Sequence, residues 1–187
     1  MISVFILLSV AFAPQTTAPV QAAAQASGVA APWDVRRMLD SLQAGIQRIN
    51  PMLDQMKPED WVQRGAPYAY VEQWKNSKVE LGYFQTSAQA LARRPEKLSQ
   101  ALDTFFRLEA LDRQLRSLIQ GARKYHNPAA ANAMQAFLDE GSRNHDQMRQ
   151  YVVDLARDKE QEFKVMDSEA QRCRSIVSRQ PSAAGRQ

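Results

Sequence analysis

The sequence has little of what a disulfide-rich, metal-clustered or β-sheet protein needs. It contains one cysteine among 187 residues, which excludes an intramolecular disulfide and any zinc site built on several thiolates. From Ser27 onward it has only two Thr, four Ile and nine Val, too few β-branched residues to furnish a sheet. Its seven glycines form no phosphate-binding loop. These absences favour an all-α protein.

Catalytic signatures are missing as well. The sequence has no Gly-x-Ser-x-Gly elbow, no His-Glu-x-x-His zinc pair and no Cys-x-x-Cys-His haem attachment site. Its two histidines, His126 and His145, have no neighbour at metal-ligand spacing. We therefore predict no cofactor, no metal and no catalytic residue. His145 is predicted to be a hydrogen-bonded polar residue among packed helices, with a ligand or acid–base role as the alternative.

The first 26 residues lack any charged side chain. Within them, residues 2–13 form an apolar run that is too short to span a bilayer core of about 30 Å. The run has the length of the apolar region of a secretory signal peptide, and Ala24-Gln25-Ala26 forms a small-x-small cleavage pattern before Ser27. We therefore predict a cleaved signal peptide at residues 1–26 and a periplasmic or secreted mature chain without a transmembrane span.

The sequence is rich in helix-forming residues arranged in an amphipathic pattern. Gln, Ala, Leu, Arg and Glu dominate, and apolar residues recur at steps of three and four, which places them on one helix face. Because proline fits the first position of a helix, four prolines are predicted to mark helix starts: Pro32, Pro67, Pro95 and Pro128. The predicted fold is all-α, an antiparallel helical bundle of about four long amphipathic helices that pack like a coiled coil.

The chain after the signal peptide divides into three predicted segments: a linker at 27–32, the helical bundle at 33–172 and a basic, disordered tail at 173–187. The last helix is predicted to continue through Gly141, because its apolar spacing stays in phase there, and is therefore longer than the others. Its residues 158–168 are more charged. We expect this part to project from the bundle or to be covered by another chain.

The excess of basic residues is confined to the C-terminus. The chain has 24 Lys and Arg against 20 Asp and Glu, but residues 172–187 hold four arginines and no acid. Residues 27–171 are therefore electrically balanced, which argues against a nucleic-acid partner. The tail is expected to make at most a weak contact with an anionic membrane surface, of about 1 kcal/mol per basic residue.

Aromatic residues and the lone cysteine mark the candidate contact sites. Binding surfaces are rich in Trp and Tyr, and the predicted interaction surface comprises Trp61, Tyr70, Tyr83 and Phe163. Two further aromatic residues, Trp74 and Phe84, fit the buried stripe and are predicted to be core. Cys173 lies between two arginines, which favour its thiolate. It is a candidate for an intermolecular disulfide, with a free thiol as the alternative.

These features predict a non-enzymatic binding or scaffolding protein of the cell envelope that takes a protein partner or self-associates. The alternative is a small all-α enzyme that binds an anionic substrate through arginines inside the bundle. The first helix is similar, in its amphipathic spacing and in Arg36, Arg37 and Arg48, to the first helix of exported chorismate mutases. That resemblance implies an anionic substrate in a pocket among the helices and assigns no catalytic residue.

Overall fold

The computed structural model describes residues 28–179, which form five α-helices that pack against each other and no β-strand. The helices are α1 (Pro32–Gln55), α2 (Pro58–Gln63), α3 (Ala69–Arg93), α4 (Leu98–Tyr125) and α5 (Pro128–Arg179). The predicted all-α class is confirmed. Within these residues no helix has both the length and the apolarity to cross a membrane. The predicted signal peptide at 1–26 and residues 180–187 of the predicted tail lie outside the described residues.

The four long helices pack side by side. α1 contacts α3 and α5, α4 contacts the same two helices, and the short α2 packs on α3. Bonds between α1 and α3 set their direction: the Trp74 indole N–H donates to the Leu53 carbonyl at 2.8 Å, and Arg36 donates to the Ala92 carbonyl at 3.0 Å. The start of each helix thus meets the end of the other. Short connections make the α3–α4 and α4–α5 pairs antiparallel as well.

The core consists of the apolar stripes of these helices. The stripe of α1 is buried over its whole length, at Val35, Met38, Leu39, Leu42, Ile46, Ile49 and Leu53. Phe84 is fully buried, as predicted, whereas Trp74 is half-buried. Buried Ser77 and Thr104 are small, and each hydroxyl donates to a carbonyl one turn earlier in its own helix, at 2.8 and 2.9 Å. They let α3 and α4 approach without leaving a buried hydroxyl unpaired.

The prolines mark helix starts in two of the four predicted places. Pro32 and Pro128 are the first residues of α1 and α5. Pro67 and Pro95 lie instead in the turns before α3 and α4, which begin two and three residues later. A proline fixes its own backbone angle but leaves the following residues free to complete a turn, so its position locates a helix start only to within one turn.

The last helix, α5, extends well beyond the bundle. It is continuous over 52 residues, which confirms the predicted continuity through Gly141. It also includes residues 173–179, which the sequence placed in a disordered tail; they contain no Gly or Pro to end a helix. At 1.5 Å per residue α5 is about 78 Å long, against about 42 Å for α4. Every residue from 160 to 178 is exposed, and we call this stretch the projecting segment.

Tyr151 ties α5 to the turn that precedes α4. Its side chain is buried, and its hydroxyl donates to the carbonyl of Pro95. Burial, with the nearby charge of Glu96, raises the pKa of Tyr151 from 10.0 to about 12. The folded state therefore favours the neutral hydroxyl. Its contribution to stability is complete below pH 10 and is lost as the pH rises through about 12.

We expect Tyr151→Phe to lower the free energy of unfolding by about 1 kcal/mol near neutral pH, because the Pro95 carbonyl loses its donor. The difference between the two chains should shrink as the pH rises from 10 to about 12. Urea denaturation at a series of pH values measures this difference. The two chains share all other titrating groups, so the pH dependence of the difference reports Tyr151 alone. A difference that stays constant across this range would contradict the assignment.

Candidate functional site

A cavity of about 370 Å³ lies between α1, α4 and α5. Its apolar lining comes mainly from α1 and α4: Leu42, Ile46, Ile49, Leu108, Leu111 and Leu115. Two glycines, Gly45 and Gly141, also line it, and a Cβ added at Gly141 would meet no atom within 4 Å. The missing side chain thus helps to keep the space open. A cavity of this size and apolar character fits a small organic ligand.

Charged side chains at the cavity are paired with each other. The guanidinium of Arg48 donates to Glu140 at 3.1 Å and lies over the Phe137 ring, 4.7 Å from its centroid. Arg116 Nε donates to Asp112 at 2.7 Å, and this hydrogen bond raises the pKa of Arg116 above its ordinary value. Both arginines are therefore already matched by a carboxylate. An anionic ligand would have to compete with Glu140 and Asp112 for them.

His145 lines the cavity and is half-buried. Its Nε2 lies 2.8 Å from a carboxylate oxygen of Glu109, and its ring lies beside Phe105 with 6.0 Å between centroids. His145 thus lies among packed helices, where the sequence placed it, beside a carboxylate. Across residues 28–179 no three His, Cys, Asp or Glu side chains converge in a way that could hold a metal ion.

Only one of the three arginines behind the resemblance to chorismate mutases reaches the cavity. Arg48 lines it, as described above. Arg36 instead donates to a carbonyl near the end of α3, and Arg37 pairs with Asp34 in the first turn of α1. Amphipathic spacing could not predict this, because it separates polar from buried positions of α1 but does not tell which helix lies beside each polar position. The cavity thus offers apolar walls and hydrogen-bonding groups but no cluster of free cations.

The predicted aromatic surface is split between core and solvent. Trp61 is wholly buried, so it does not belong to an interaction surface. Its ring meets that of Tyr70 edge-on at 5.9 Å and stacks on His126 at 6.0 Å, while Tyr70 also meets Tyr125 at 6.1 Å. We call these four residues the aromatic end cluster. Tyr70 is half-buried within it, so its ring packs in the cluster while part of it stays accessible.

The short helix α2 explains this correction. It packs on α3 and turns Trp61 inward, against α4 at Gly121, where an added Cβ would lie 2.6 Å from the Tyr70 ring and 3.0 Å from the Trp61 ring. Arg64 then closes the cluster by donating to the Tyr125 carbonyl at the end of α4, at 2.8 Å. In the sequence, the available indication was Pro58, a residue that fits a helix start, one turn before Trp61.

The other predicted contact residues are exposed. Tyr83 is 54% exposed on α3, with the Arg107 guanidinium over its ring at 5.0 Å. Phe106, next to that arginine, is also exposed and was not among the contact residues predicted from the sequence. Phe163, in the projecting segment, is 71% exposed. These residues retain the exposure that a contact surface requires.

The projecting segment carries an apolar stripe that no described residue covers. Of the eleven large apolar side chains exposed in residues 28–179, five lie in the projecting segment: Phe163, Val165, Met166, Ile176 and Val177. Cys173 lies in the same segment as an exposed free thiol. Such a concentration of exposed apolar residues in one short helical stretch makes it a candidate interaction site.

We compared the chain with protein families, with characterised proteins and with solved structures. None of the three comparisons gave a match.

Proposed function

We propose that this chain is an exported, non-enzymatic binding or scaffolding protein of the cell envelope, and that the projecting segment is its binding element. The observation that carries the proposal is the exposed apolar stripe on a helix that stands clear of the bundle. In proteins most helix stability comes from packing of an apolar face, and no described residue packs on that face of the projecting segment. Covering the stripe would stabilise both the helix and the complex.

The size of the stripe fits a reversible contact. Full burial of a Phe or Met side chain contributes about 1.5–3 kcal/mol, and Phe163 and Met166 are 71% and 70% exposed. Association itself costs at least about 4 kcal/mol, so a stripe of this size favours a weak, reversible contact. In this proposal the four long helices form an antiparallel bundle that acts as a rigid base. It fixes the direction in which α5 presents its stripe.

Export is the second part of the proposal. It is supported by the uncharged first 26 residues, their apolar run and the small-x-small pattern before Ser27. A periplasmic or secreted location also agrees with the use of a single cysteine, since an unpaired thiol there either stays free or joins another chain. Sequencing the N-terminus of the protein recovered from the cell envelope would locate the cut.

A small all-α enzyme is the second candidate function, and the cavity between α1, α4 and α5 is the observation in its favour. Its size suits a small substrate. The existing partners of Arg48 and Arg116 speak against the anionic substrate that the sequence suggested. Binding through the projecting segment does not require any existing ion pair to break, and we therefore prefer it.

Affinity capture from envelope extract, with the chain from Ser27 onward as bait, tests the binding function. We expect mass spectrometry to identify partners that are retained by the wild type and lost with Phe163→Glu/Met166→Glu, since two charges on the stripe oppose its burial. Gln161→Glu/Ser168→Glu is the matched control, because it adds the same charge to exposed residues on the opposite side of the same segment.

Two results would contradict the proposal. One is a set of partners that is captured equally by all three baits, which would place the binding surface elsewhere. The other is the absence of any captured partner together with a saturable thermal shift on addition of a small molecule. That result would favour the cavity and the enzyme.

A further inference from the structure

The exposed stripe of the projecting segment continues the stripe that α5 buries inside the bundle. Met148, Val152 and Leu155 are buried against the other helices. The same steps of three and four lead on through Lys159 to Phe163, Met166, Ala170, Cys173 and Val177. Residues at these steps share one side of a helix. The stripe therefore leaves the bundle on the side of α5 that faces the bundle axis.

Charge is unevenly distributed along this part of α5. Residues 158–169 carry five acidic side chains and two lysines, whereas residues 170–179 carry three arginines and no acid. The first half is negative and the second is positive. Two copies of the segment attract each other when they lie antiparallel and the acidic Asp167 and Glu169 of one copy come near the arginines of the other. A parallel pair would bring like charges together.

We propose that the projecting segment pairs with the same segment of a second copy of this chain, in antiparallel orientation. The inference rests on the proposed function, since it takes this segment as the binding element and names its partner. In the register that fits best, Met166 lies opposite Val177 of the second copy, and Ala170 lies opposite Cys173 of the second copy. Met166, Ala170, Cys173 and Val177 of the two copies then meet each other, and Phe163 lies one residue beyond the level of residue 179.

This register also pairs the charges that flank the stripe. Asp167 and Arg174 are seven residues apart and directly follow the stripe residues Met166 and Cys173, so both lie on the same edge of it. In the antiparallel pair, Asp167 of each copy faces Arg174 of the other. Two attractive pairs form, and on the other edge Glu169 faces the neutral Ile176. Sliding the helices by one heptad towards the bundles would instead set Asp167 against Asp167.

Space favours the antiparallel orientation independently of charge. Because the stripe faces the same side as the core of its own bundle, a parallel pair would force both bundles into the same space between the two helices. Antiparallel helices place the bundles at opposite ends. In the proposed register the described end of α5, at residue 179, lies level with Lys164 of the other copy. That level is about 13 Å beyond Leu155, the last buried residue of α5.

Sedimentation equilibrium of the chain from Ser27 onward tests the pairing. We expect a monomer–dimer equilibrium that Phe163→Glu/Met166→Glu weakens at least about tenfold. The matched control Gln161→Glu/Ser168→Glu should change it less than about threefold, because these residues lie away from the stripe. Far-UV circular dichroism checks that each variant keeps its helices, as expected for exposed positions.

Two single-cysteine chains test the orientation. Both carry Cys173→Ser, and one adds Met166→Cys while the other adds Val177→Cys. In the antiparallel register only the mixture should form a disulfide-linked dimer on a non-reducing gel after mild oxidation, since 166 lies opposite 177. In a dimer of either chain alone, the introduced cysteines of the two copies would lie about 16 Å apart along the helix axis, which is too far for a disulfide. In a parallel pair each chain alone would cross-link.

The outcomes separate this inference from the proposed function. A chain that stays monomeric but captures an envelope protein through Phe163 and Met166 would overturn self-pairing and leave the binding function intact. A dimer that tolerates Phe163→Glu/Met166→Glu would overturn pairing through this segment. Cross-linking of each single-cysteine chain by itself would overturn the antiparallel orientation. Dimers lost with the stripe variant, together with cross-linking of the mixture alone, are the expected result.

Discussion

Replacing Trp61 by alanine is expected to lower the free energy of unfolding by about 3–5 kcal/mol, because the indole is wholly buried and its removal leaves a cavity. That loss is large beside the roughly 5–15 kcal/mol that stabilises a typical domain. The side chain links α2 to Tyr70 of α3 and stacks on His126 after α4. Its loss should therefore loosen the whole aromatic end cluster. Urea denaturation followed by circular dichroism measures the change.

Trp61→Phe is the control for this prediction. The smaller ring keeps most of the buried apolar contact and removes an indole N–H that is buried without a hydrogen-bond partner. The void that it leaves is smaller than that of Trp61→Ala, so the cost should lie well below about 3–5 kcal/mol, and loss of the unpaired N–H offsets part of it. If Trp61→Phe were as damaging as Trp61→Ala, the indole nitrogen rather than the ring would be the stabilising group.

The aromatic end cluster also shows where sequence reasoning stops. Spacing within one helix predicted the buried stripes of α1 and the continuity of α5, because both are local properties of a 3.6-residue period. The burial of Trp61 is not local. It depends on Gly121, 60 positions away in the chain, whose missing side chain admits the Tyr70 and Trp61 rings. A sequence alone does not state which helix end lies over which glycine.

The projecting segment and the cavity also differ in how far the sequence alone predicts them. Residues 158–168 were predicted to project or to be covered by another chain, from their charge and from the length of the last helix, whereas 173–178 were assigned to a disordered tail. The cavity could not be foreseen, because it exists where Gly45 of α1 and Gly141 of α5 line the same space. Pairs such as Arg48 with Glu140 likewise join residues that are distant in sequence. Helix register, which sets these pairs, follows only from the packed structure.

Gly121→Ala is expected to destabilise the chain by about 1–3 kcal/mol, although alanine is the better helix former by about 1 kcal/mol. The added Cβ would lie 2.6 and 2.9 Å from two ring carbons of Tyr70 and 3.0 Å from the Trp61 ring. Both rings are held by packing and cannot give way without cost. Thermal unfolding and urea denaturation measure the effect.

Two other helical glycines supply controls of opposite sign. An added Cβ at Gly82 or Gly141 would meet no atom within 4 Å, so Gly82→Ala and Gly141→Ala should each stabilise the chain by up to about 1 kcal/mol. Tyr70→Leu should also relieve part of the loss in Gly121→Ala, giving a coupling of about 0.5–3 kcal/mol in a double-mutant cycle. Stabilisation by all three alanines would mean that α4 does not approach the Tyr70 ring. In that case Trp61 would no longer be sealed by this contact, and its place in the core would need another explanation.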